Sequence, residues 1–68
     1  MTEKELLYIE DAISHEENVI AYLSDSLNHL EDAVLLDFFE NEIVCHNKMK
    51  NSFMKLLREG SCDWSRNN

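Results

Sequence analysis

Four residues near the middle of this chain could do chemistry together: Glu16, Glu17, Glu42 and His46. Carboxylate oxygens and an imidazole nitrogen suit iron, manganese or zinc, and donors at i and i+4 on one helix can share an ion. On a helical wheel at about 100° per residue, Phe39, His46, Phe53 and Leu57 lie on nearly one line, so His46 falls at the centre of an apolar face. Glu42 lies one turn earlier on the same inner side. Glu16 and Glu17 straddle the line from Ile13 to Ile20, so one of them should lean inward. Cys45 sits on the flank, where a small buried hydrophobe is the commoner role.

Two helices must position these groups. The chain has 68 residues, no proline and one glycine, Gly60. So long a stretch without a breaker is a helical signature. Thr2-Glu3-Lys4-Glu5 reads as a capping box that opens a first helix over about residues 3–28. Leu6, Ile9, Ile13, Ile20, Leu23 and Leu27 form its apolar line. Asn28 and His29 are poor helix formers, and Glu31 and Asp32 can open a second helix over about residues 32–59. That helix carries Leu35, Leu36, Phe39, Ile43, Met49, Phe53 and Leu57. Gly60 is predicted to end it, with Lys55 and Arg58 in its last turn. Residues 61–68 read as an irregular tail in which Trp64 folds back or meets a partner.

A short break makes the helices antiparallel, so the predicted fold is an all-α two-helix hairpin over residues 1–60. One continuous helix is the alternative. With the turn centred near residues 30 and 31, facing positions have numbers summing to about 61. Glu16 and Glu17 then stand at the level of Glu42 and His46. A single hairpin leaves apolar surface uncovered, notably Phe38, Phe39, Met49, Phe53 and Met54, and pairing into a homodimeric four-helix bundle would cover it.

Charge narrows the partners. Fourteen acidic against six basic residues give a net charge of -8, which disfavours nucleic acid and anionic membranes as partners. No apolar leader precedes the first helix and no apolar run reaches the roughly 20 residues that span a bilayer. A cytoplasmic location is the expectation, with Cys45 and Cys62 reduced and too far apart to bridge within one chain.

The stretch from Ala12 to Tyr22 (AISHEENVIAY) resembles the first metal-binding helix of ferritin-like and rubrerythrin-like proteins. The stretch from Asp32 to His46 (DAVLLDFFENEIVCH) is similar to their second, where an acidic start leads to Glu-x-x-His. In its two-helix form the chain looks like the encapsulated-ferritin type, whose hairpins dimerise into the bundle. The resemblance implies a carboxylate/histidine iron site, possessed or reduced, with Glu17 or Glu16, Glu42 and His46 as metal ligands. Glu42 and His46 are four apart where the family motif sets three, and Ile43 occupies the family's glutamate position. Ferroxidase-type catalysis would follow only from an intact site. The plainer reading makes Glu16 and Glu17 boundary residues, lets His46 set register by hydrogen bonds to glutamates, and pairs Lys50 with them. The chain would then be a non-catalytic acidic helical module that docks a protein partner.

Overall fold

A computed structural model describes the backbone of residues 1–67 and the side chains of residues 1–60. It is an all-helical antiparallel hairpin: α1 spans Glu3–Leu27 and α2 spans Ala33–Asn67. α1 opens on the capping box. Glu5 N–H donates to Thr2 Oγ1 at 3.1 Å, and Thr2 N–H donates to Glu5 Oε1 at 2.9 Å. The Thr2 amide first, and then its hydroxyl, hold the Glu5 carboxyl below its ordinary range. A carboxyl lowered on folding contributes stability above its unfolded value and loses it as pH falls through the lowered one.

The reversal between α1 and α2 rests on two caps. Asn28 and His29 N–H groups donate back to Asp25 and Ser26 carbonyls at 3.1 and 2.9 Å, which closes α1 with a tighter turn. Asp32 then caps α2, its Oδ1 accepting from the Val34 and Leu35 amides at 2.8 and 3.1 Å. Those amides are among the orphan donors that every helix N-terminus must satisfy.

The two helices meet along one seam. On α1 it runs through Leu6, Ile9, Ile13, Glu16, Ile20, Leu23 and Leu27. On α2 it runs through Leu36, Phe39, Ile43, His46, Lys50, Phe53 and Leu57 to Gly60. All of these are at least partly covered. The steps alternate between three and four residues, the heptad spacing of a coiled coil. Leu35 and Met49, expected in the apolar line of the second helix, stand off the seam and are exposed.

The expected stop at Gly60 is corrected. α2 continues through Gly60 to Asn67, so residues 61–67 are not irregular. No glycine among the described residues has a positive φ, the conformation that a C′ glycine supplies. Gly60 instead lets Met1 approach. A Cβ added there would lie 2.8 Å from Met1 Sδ and closer still to its terminal methyl. The side chains of Cys62 and Trp64 lie outside the described residues.

Two substitutions check this account. Asp32→Ala should destabilise the hairpin by about 1 kcal/mol in chemical denaturation, the usual loss for such a cap. Gly60→Ala should raise the thermal midpoint, because alanine gains up to about 1 kcal/mol in a helix interior and the tip of Met1 can swing aside. A lowered midpoint would mean either that Gly60 ends the helix or that Met1 does not yield to the added Cβ.

Candidate functional site: a carboxylate–imidazole layer

One polar layer crosses the seam. Glu16 is a d-type seam position, one helical step inside Glu17, and is 7% exposed. Its Oε2 lies 2.5 Å from His46 Nδ1. Their numbers sum to 62, close to the antiparallel register expected from the turn. His46 Nε2 faces the other way, 3.7 Å from Glu42 Oε2 on the turn before it. The imidazole is therefore flanked by carboxylates at both nitrogens. Glu16 is the one buried residue on α1. Its carboxyl group tolerates burial because it shares a hydrogen bond with that ring nitrogen.

Glu17 departs from the group. It points to the exposed flank, where Lys50 Nζ stands 3.6 Å from its Oε2. Such a half-exposed pair adds little to stability. Of the two glutamates left open by the wheel, Glu16 is the inward one. The alternation of three and four along Leu6, Ile9, Ile13, Ile20, Leu23 and Leu27 was the signal that separates them.

The layer does not amount to a metal centre within one chain. Among the described residues no group of three or more His, Cys, Asp or Glu side chains is arranged to hold an ion. The reason lies in the ring. Glu16 and Glu42 address opposite nitrogens, so an ion on Nδ1 beside Glu16 leaves Glu42 on the far side. Glu42, 3.7 Å from Nε2 and beyond hydrogen-bond distance, then fits a supporting role through its charge, behind the ring rather than beside the ion. One hairpin thus supplies two donors, Glu16 and His46, where structural zinc takes four. Cys45 is free and exposed on the flank. His15 and His29 are exposed, as are Tyr8 and Tyr22.

The layer also sits at a special height. α1 runs from residue 3 to 27, with its midpoint at residue 15. Glu16 and His46 therefore cross at the middle of the paired length.

Leu substitutions measure how the pair is held. Glu16→Leu and His46→Leu should each lower stability by about 1–3 kcal/mol, because each leaves a covered polar group without its partner. The double variant should recover most of that loss, since two apolar residues on the seam need no partner. Additive losses would mean that the two side chains do not interact.

No helix among the described residues is long and apolar enough to cross a membrane. No family model matches the chain, and neither curated proteins nor solved structures give a match, so the likeness to ferritin-like proteins rests on its own residues.

Proposed function

We propose that this chain is a metal-binding protein of ferritin-like design, in which two hairpins pair about a two-fold axis into a four-helix bundle. The ion, iron or a similar one such as manganese or zinc, is held where the two polar layers meet. Glu16 and His46 of each copy are the donors, and Glu42 orients the imidazole. The observation that carries this reading is the covered Glu16 carboxylate set against His46 Nδ1 at mid-seam. That carboxylate and that imidazole are the groups that would hold an ion, which would supply a positive charge between them.

Two-fold geometry supports the arrangement. Hairpins stacked face to face can be related by an axis along the helices, which matches every level, or by one across them, which matches the middle level. A layer at the midpoint meets its copy in both cases. Two donors from each hairpin then make the four that a tetrahedral ion takes. When bound, the ion supplies a fixed positive charge. The chain's own residues hold it, orient the ring and exclude water.

A second reading has its own support. His46 already has a carboxylate at each nitrogen, and Lys50 occupies Glu17. A polar layer so satisfied can serve only to set register, and the chain is then an acidic helical module that docks a protein partner.

Calorimetric titration of metal-stripped protein with zinc or anaerobic ferrous ion separates the two. The metal reading expects saturable uptake at a fixed ratio of ion to chain, a raised melting temperature and loss of both in His46→Ala. No saturable uptake, or uptake unchanged by His46→Ala, overturns it in favour of the docking module.

A further inference from the structure

The hairpin is 53 Å long and 14 by 12 Å across, and the two sides of its seam differ. Because the helices are antiparallel and share a seam, a two-fold axis normal to their common plane relates them. The flank preceding each a-type position therefore lies on the same face of both helices. On that face stand Tyr8 and Tyr22 of α1 and Leu35, Phe38, Met49 and Leu56 of α2. All six are large and at least 45% exposed, Tyr22 reaching 71% and Phe38 58%. Between the two ends of this strip, the titratable groups are His15, Glu42 and Cys45. The opposite face carries Glu10, Glu17, Asp37, Glu40, Asn47 and Asn51, broken by Leu7, Val44 and Met54.

We infer that the face bearing Tyr8, Tyr22, Leu35, Phe38, Met49 and Leu56 is the surface on which a second copy of this chain seats. The inference rests on the two-fold bundle described above and says which side of the hairpin forms it. Three observations select a second copy as the occupant. First, no apolar side chain is buried among the described residues, although both helices are ordered along a continuous seam. The seam alone does not make a core, and a second layer of helices on this face would complete one. Phe38 links the two: its ring meets the seam residue Phe39 edge to face, with centroids 6.3 Å apart.

Second, charge restricts what can approach. The chain carries a net charge of -8. A basic partner would be drawn to the face with the carboxylates. Another equally acidic molecule can come close only where carboxylates are sparse, and that is the face with the aromatic and aliphatic side chains. Third, the size fits. The strip from Leu35 to Leu56 is about 32 Å long at 1.5 Å per residue, and two helices of about 10 Å diameter make it about 20 Å wide. That is of the order of the roughly 800 Å² per partner that a stable interface covers.

Sedimentation in EDTA tests the surface without involving metal. Wild-type protein at micromolar concentration is expected at twice the chain mass of 8.0 kDa. Phe38→Glu should sediment as a single chain. Val44→Glu, which alters a side chain 51% exposed on the opposite face, should remain a dimer. Mass-resolved maleimide labelling adds a reading that does not depend on Phe38→Glu staying folded. Cys45 lies on the proposed interface and should label at least tenfold more slowly than a cysteine placed by Val44→Cys in the same native protein. A single-chain mass for wild type, or equal labelling at the two positions, overturns the inference whether or not metal binds. Failure to bind metal with the dimer intact would refute the metal reading and leave this surface standing.

Discussion

Everything in this hairpin depends on a carboxylate and an imidazole sharing the middle of a seam that, apart from them and Lys50, is apolar. Glu16 and His46 occupy positions that leucine or isoleucine would fill in a simple coiled coil. Buried polar groups lose their solvation unless they find partners, so the two are tied to each other and to one register. Sliding α2 by one heptad would leave both without that partner and place apolar side chains opposite them. The pair thus selects one alignment of the helices, at some loss of apolar burial. The caps at Thr2 and Asp32 start the two helices at heights compatible with that alignment.

The same layer links fold to the proposed function. A hairpin with no buried apolar side chain among the described residues is an incomplete folding unit. Short chains of this kind usually draw the rest of their stability from oligomerisation, disulfides or metal. Here two of those sources coincide in the proposed account. The apolar face supplies association, and the polar layer supplies half a set of donors at the one height where a two-fold copy returns the other half. The net charge of -8 makes the remaining surfaces of two copies repel each other.

Much of the fold was legible in the sequence because the strongest local signals agreed. The capping box at Thr2, the weak helix formers at Asn28 and His29, and the absence of proline gave a hairpin that the structure bears out. The convergence of Glu42 and His46 with a glutamate from α1 was also legible, from register and helical phase together. Gly60 misled because a glycine near a helix end has two uses that sequence cannot separate. It can adopt positive φ, or it can admit a neighbour closely, and here Met1 decided for the second. Glu16 and Glu17 were left unresolved because a wheel at 100° per residue splits them evenly, whereas the heptad steps do not. The opposite orientation of the two ring nitrogens of His46 could not be read from spacing at all, since it depends on a side-chain torsion. That torsion turns Nδ1 toward Glu16 and Nε2 toward Glu42.

In the proposed function each hairpin holds half of a metal centre. Native mass spectrometry of the intact chain across a dilution series, with zinc present at a fixed low excess, addresses it most directly. The account expects the ion on the two-chain species alone, with single chains at the lowest concentrations carrying none. Single chains that hold zinc at the same occupancy as dimers would contradict it.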